Sequence, residues 1–226
     1  TFFVKNTKAF KIGQTPGSWM FKKHPKFDNL ILQGNYNGIH ILQKEYGKWK
    51  YKNKLEGFDI SSRYFEIVND TTLIVSHEYK GVFKITFNKE IDKIHKIQMD
   101  PSVKKGINAS LIKFDEEIFY LNSEGLFRFD KNRLAFQKDE TLSKKINFED
   151  YLTGKMINDN NGRLWIFSNN RINYLQRELF SDNLKFESFF FQNNSRKNAL
   201  GWEHVNKYVD SKYIFGSGTG YLLVDL

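Results

Sequence analysis

The sequence has no cysteine, so disulfide frameworks, thiolate metal sites and cysteine nucleophiles are excluded. No apolar run approaches the ~20 residues that a membrane-crossing helix needs. The first residues, TFFVKNTKAF, lack the charged, apolar and small-residue segments of a secretory signal. Helical periodicity is missing as well, since no long segment repeats its apolar residues about every 3.6 positions. That excludes a solenoid of helical pairs, and also doubly wound folds, which need helices between their strands. At 226 residues the chain can bury a substantial core. It reads as a soluble piece of something longer.

The formal net charge of +9 raises the question of nucleic acid. Lysines such as Lys44, Lys48, Lys50, Lys52 and Lys54 stand singly among acidic and aromatic residues, not together on one helical face. This reads as a solvated surface rather than a phosphate track, and no direct nucleic-acid contact is expected.

What the chain does contain is one short pattern, repeated. The stretch NDNNGRLWIFSNNRINYL, residues 158–175, joins a turn signal, an apolar run, a second turn signal and an alternating run. Similar apolar runs occur at Leu30 to Leu32, Leu73 to Val75, Ile118 to Leu121 and Tyr213 to Phe215, with a weaker first copy at Phe2 to Val4. Continuous apolar runs of this length suit strands buried on both faces. Asp28, Asp70, Asp115, Asp159 and Asp210 precede the five good copies, and Gly38, Gly81, Gly125 and Gly220 follow four of them. The Asp-to-Gly spacing is ten residues in three copies and eleven between Asp70 and Gly81; in the fourth copy Arg171 takes the glycine position, twelve residues after Asp159. Asp closes turns through its side chain, and glycine accepts positive φ where the chain doubles back. Each copy is therefore a hairpin, preceded by a strand such as Tyr64 to Val68 and followed by a fourth such as Lys93 to Met99 or Lys185 to Phe190.

The repeat steps run from 43 to 49 residues between successive turn positions Gly38, Gly81, Gly125, Arg171 and Gly220. A four-stranded unit of this length is the signature of a β-propeller blade. The expected fold is all-β: a single propeller domain over 1–226, with about five to six blades of four antiparallel strands, belonging to a larger ring. The first copy, 2–12, is expected to be partial, because the connection from Ile12 to Trp19 is too short for a regular fourth strand.

The wording of the copies goes further. NDNNGRLWIFSNNRINYL resembles the two-component regulator propeller repeat, and FYLNSEGLFRFD at 119–130 and IFGSGTGYLLVDL at 214–226 resemble its second half. The resemblance implies the extracytoplasmic, periplasmic sensor of a bacterial one- or two-component regulator, usually followed by a β-sandwich with conserved tyrosines and a membrane helix. Membrane attachment and a homodimer would then come through segments outside this chain, and signalling or DNA-binding output would lie there too.

A propeller presents its second-to-third-strand loops and its blade-to-blade loops on one concave face, where ligands bind. On that face the expected ligand-binding residues are Tyr36, Arg63, His77, Tyr79, Asn108, Trp202 and Glu203. Aromatic faces and forked polar groups of this kind suit a small molecule, glycan or peptide. Trp165, inside an apolar strand, reads as packing. Catalysis is not expected. An alternative hydrolase or lyase acting on polysaccharide would use Glu149 with Asp150, or Glu203 with His204. A second alternative is an intracellular interaction scaffold. The five histidines show no metal-ligand spacing, and neither a metal nor a cofactor is expected.

Overall fold

A computed structural model describes residues 1–146, 155–159, 161–168, 171–181, 183–190, 203–217 and 220–226. The chain divides into two compact units, Thr1–Lys105 and Gly106–Leu226.

The first unit opens with a hairpin of β1 (Phe2–Lys5) and β2 (Lys8–Lys11). A four-stranded antiparallel sheet follows, made of β3 (Ser18–Lys23), β4 (Leu30–Asn35), β5 (Gly38–Glu45) and β6 (Lys48–Lys54). A second has β7 (Tyr64–Asn69), β8 (Thr72–His77), β9 (Gly81–Phe87) and β10 (Ile94–Met99). The second unit holds β11 (Ser110–Phe114), β12 (Glu117–Asn122), β13 (Gly125–Asp130) and β14 (Ala135–Lys138), then the short helix α1 (Glu140–Lys145). Next come β15 (Met156–Asn158), β16 (Arg163–Phe167), β17 (Arg171–Arg177) and β18 (Leu184–Phe190). The last sheet has β19 (Val205–Val209), β20 (Lys212–Ser217) and β21 (Gly220–Asp225), three strands among the described residues. Within every sheet each strand pairs with its sequence neighbour, the up-and-down order of a β-propeller blade. The fold is all-β and of the propeller class that the repeat predicted, with one blade sheet at each of the five good copies.

The apolar runs occupy the second strand of each blade. Leu73 to Val75, Ile118 to Leu121 and Leu164 to Phe167 are at most 1% exposed. In the first unit they join a core of Leu32, Ile41, Phe65 and Ile85. Each such side chain contributes about 1.5–3 kcal/mol by leaving water. Phe2 to Val4 departs from this pattern. Phe2 is 63% and Val4 66% exposed, because the β1–β2 hairpin has no further strands paired to it among the described residues.

The turns explain the spacing. Asp115 and Glu116 have φ of 47° and 64°, the paired left-handed conformation of a two-residue hairpin. Gly38, at φ 113°, has a second constraint, since a Cβ there would lie 2.1 Å from the Phe58 carbonyl oxygen. From Asp to the end of the second strand the count is constant, seven residues from Asp28 to Asn35, Asp70 to His77 and Asp115 to Asn122. The additional residue of the second copy therefore lies in the β8–β9 turn. There Glu78, Tyr79 and Lys80 separate the paired His77 and Gly81, whereas two residues separate Asn35 from Gly38 and Asn122 from Gly125. In the fourth copy the extra length lies earlier, between Asp159 and β16. The Ser168 N–H donates to the Arg171 carbonyl at 2.9 Å, so Arg171 replaces glycine without lengthening its own turn.

Two elements escaped the sequence reading. Strand β3 begins inside what looked like a connection, and its residues alternate weakly between exposed and half-buried. Helix α1 is too short to show a period. It forms because Asp139 Oδ1 accepts from Leu142 N–H at 2.8 Å, and Ser143 Oγ, accepting from Leu126 N–H at 3.0 Å, ties it to β13.

Candidate functional site

In the first unit, a cleft of about 360 Å³ opens between the turns of its two blades. Trp19 reaches it from β3, Tyr36 from the β4–β5 turn, Arg63 from just ahead of β7 and Tyr64 from the first position of β7. His77 enters from the end of β8, and Glu78 and Tyr79 from the β8–β9 turn. The one-residue insertion that disturbs the repeat spacing thus supplies a wall of the cleft.

The Arg63 guanidinium carbon lies 5.6 Å from the Trp19 ring centroid and 5.1 Å from that of Tyr64, so the cation rests on aromatic faces. Its Nη1 is 3.6 Å from Glu78 Oε1, longer than a hydrogen bond. With both side chains about a third exposed (32% and 31%), solvent screening makes this a weak pair that a competing anion can displace. Trp19 meets Tyr36 edge to face at 4.8 Å. Tyr36 in turn lies against Gly17, where a Cβ would come within 2.0 Å of the Tyr36 ring. The Trp19 Nε1 is buried and has no acceptor among the described residues.

His77 closes its own turn. Its Nδ1 accepts from the N–H groups of Tyr79 at 3.2 Å and Lys80 at 3.3 Å. Asn122 does the equivalent in the next repeat, its Oδ1 accepting from Glu124 N–H at 2.9 Å. With Nδ1 committed as an acceptor, the neutral imidazole carries its proton on Nε2. Burial first, and then Lys80, hold the imidazole below the ordinary histidine pKa, with Glu78 opposing. Tyr36 and Tyr79 stay well exposed, at 56% and 62%. Flat aromatic faces, phenol hydroxyls and a guanidinium fork are a binding set, suited to the apolar face of a ring and to carboxylate or hydroxyl groups.

Of the residues anticipated from sequence, Tyr36, Arg63, His77 and Tyr79 line this one cleft. Asn108 belongs to the second unit, with φ of 65° just ahead of β11, a left-handed position that asparagine tolerates. Glu203, also in the second unit, is 1% exposed and does not present its carboxylate to solvent as an external acid or base would need to. Trp202, Glu149 and Asp150 lie outside the described residues. Trp19 and Tyr64 were missed. The available signal for Trp19 was its position ahead of the first apolar run, matching that of Arg63 and Tyr64 ahead of the second. Among the described residues no three His, Asp or Glu side chains gather as metal ligands, and no helix is long and apolar enough to cross a membrane.

No protein-family model matches the sequence, and no curated protein does. Solved structures do match the fold. The extracellular domain named as that of the one component system BT4673 from B. thetaiotaomicron aligns with TM-score 0.62 and 11% identity over 98% of this chain. A second structure of that domain, named there as belonging to a hybrid two component system, gives 0.63 at the same identity. This chain spans 31% of the length of either. A protein named as a 6-phosphogluconolactonase (BF1038), from Bacteroides fragilis NCTC 9343, aligns with TM-score 0.57 and 7% identity over 96% of this chain and 72% of its own. The first two are of the class to which the sequence resemblance pointed. At these identities the likeness establishes the propeller fold.

Proposed function

We propose that this chain is part of the extracytoplasmic sensor region of a bacterial membrane-bound regulator of the one- or two-component kind, and that it acts by binding a ligand rather than by catalysis. The observation that carries this reading is the cleft of the first unit. Four residues chosen from loop position alone line it, on two turns and one blade-to-blade connection. Its volume of about 360 Å³ falls at the small end of ligand pockets, the size for a sugar unit, short peptide or metabolite. The repeat wording and the two BT4673 neighbours support the regulator context, a periplasmic location and membrane attachment through segments outside this chain. A homodimer formed through the parent protein fits the same context.

The test is a thermal-shift screen of the purified chain against oligosaccharides, peptides and small metabolites, followed by calorimetry. A ligand at one hundred times its dissociation constant stabilises the fold by about 2.7 kcal/mol. Arg63→Ala should abolish that shift and leave the melting temperature of the unliganded chain nearly unchanged. Turnover of any ligand found, or a shift that survives Arg63→Ala, would count against this reading.

A further inference from the structure

The net charge is not spread as its sum suggests. Residues 1–54 contain eleven lysines and two carboxylates, Asp28 and Glu45, giving +9; residues 55–226 contain 24 basic and 24 acidic residues. The whole formal excess therefore sits on the β1–β2 hairpin and the first blade. In the sequence these lysines look scattered because strand alternation inserts another residue between them. Folding puts Lys48 and Lys50 on one face of β6, with Trp49 between them in sequence.

A groove of about 370 Å³ runs through this region, separate from the cleft described above. Lys5, Lys11, Lys48 and Lys50 line it, and no carboxylate does. Its apolar surface comes from Trp49 and from Phe3 and Phe10, which are direct cross-strand partners on β1 and β2. Lys50 pairs with Glu45 at 3.1 Å and Lys11 donates to Gln14 at 3.3 Å. Lys5 and Lys48 form no ion pair among the described residues.

We propose that this groove binds an anionic oligosaccharide, its sugar rings lying on Phe3, Phe10 and Trp49 and its carboxylate or sulfate groups meeting the lysines. Two observations and the proposed location select this class. The surface is concave, so an extended chain enters it where a planar bilayer would not. All eleven cations of residues 1–54 are lysines; compact point charges suit diffuse pairing with a polyanion, and the planar fork that reads base edges is missing. The extracytoplasmic location in the proposed function favours polysaccharide over nucleic acid, and only this last choice rests on that reading.

The test is calorimetry on the whole chain with an oligogalacturonate, a sulfated oligosaccharide, a neutral glucan of equal length, a short single-stranded DNA and phosphatidylglycerol vesicles. One or both acidic sugars should bind, the two arms separating carboxylate from sulfate recognition, while the neutral glucan does not. Affinity should fall at least about tenfold between about 50 and 200 mM salt. Lys5→Gln with Lys48→Gln should weaken binding about tenfold at an unchanged melting temperature. The control pair Lys96→Gln with Lys207→Gln should leave it unaltered. Tighter binding of DNA or vesicles, equal binding of the neutral glucan, an equal loss in the control pair, or no binding by either acidic sugar would each overturn the proposal. Loss of the Arg63-dependent thermal shift would bear on the cleft alone.

Discussion

Each unit of this molecule sets an arginine against aromatic rings beside a tryptophan, and the two clusters are finished differently. In the second unit the Arg163 guanidinium lies 5.2 Å from the Tyr174 ring centroid and 5.0 Å from that of Tyr213, and donates to the Tyr213 hydroxyl. Next to it Trp165 is fully buried, and its Nε1 donates to Asp159 Oδ2 at 3.0 Å. Asp159 Oδ1 also accepts from the N–H groups of Asn161 and Arg163, so one turn residue both closes its turn and satisfies the indole. In the first unit Arg63 makes the same stacked contacts on Trp19 and Tyr64, yet the Trp19 indole has no acceptor among the described residues and the rings border a cleft. The comparison teaches that the residue set does not by itself mark a site. Burial of the ring and an acceptor for its N–H set the Trp165 cluster apart, even though Arg163 Nε there is buried without a partner among the described residues.

The largest expected contrast is between the two tryptophans. Trp165→Ala removes a ring packed against Tyr174, Tyr213 and Phe215 and should cost about 3–5 kcal/mol in urea unfolding. Trp19→Ala should cost clearly less, because its ring is only half-buried. Equal losses would break the comparison. Next, Asp159→Ala should cost about 1–3 kcal/mol by leaving the buried Trp165 N–H without its acceptor. Arg163→Ala should destabilise measurably in the same assay, whereas Arg63→Ala should change stability by less than about 1 kcal/mol and act on ligand binding instead.

The smallest effect is a pH dependence specific to the first unit. Burial, followed by a nearby lysine, holds both His40 and His77 below the ordinary value of 6.5. The folded state therefore prefers them neutral, and below pH 6.5 the unfolded chain takes up more protons. Their contribution is full above pH 6.5 and is lost as pH falls through the lowered folded values. Melting temperatures measured downward from neutral pH should fall less steeply in His77→Gln than in the parent chain.

The fold was legible because a blade's second strand is covered on both faces and its turns need particular residues. Those demands leave runs such as Leu73 to Val75, and turn residues such as Asp115 and Gly38, at regular spacing. Strand β3 was not legible, since its residues are exposed or half-buried and carry no clean alternation. Helix α1 depends on a cap and on one tie to β13, both too local to leave a period. Half of the site was readable from loop position, which brought Tyr36, Arg63, His77 and Tyr79 to one cleft. Trp19 was hidden with β3, and loop position alone could not distinguish a residue that opens to solvent from one such as Glu203 that folding buries. The lysine groove was masked by alternation, which makes a shared strand face look like scattered charge.

If the first unit's tryptophan cluster is a binding surface and the second unit's is core, the two indoles should respond differently to a ligand. The most direct test is to follow the indole N–H resonances of the nitrogen-15-labelled chain during titration with a ligand from the thermal-shift screen, with Trp19→Phe and Trp165→Phe assigning the signals. The Trp19 resonance should move in proportion to occupancy while that of Trp165, held by Asp159, stays in place. A ligand that shifts Trp165 and leaves Trp19 unmoved would contradict that division of roles.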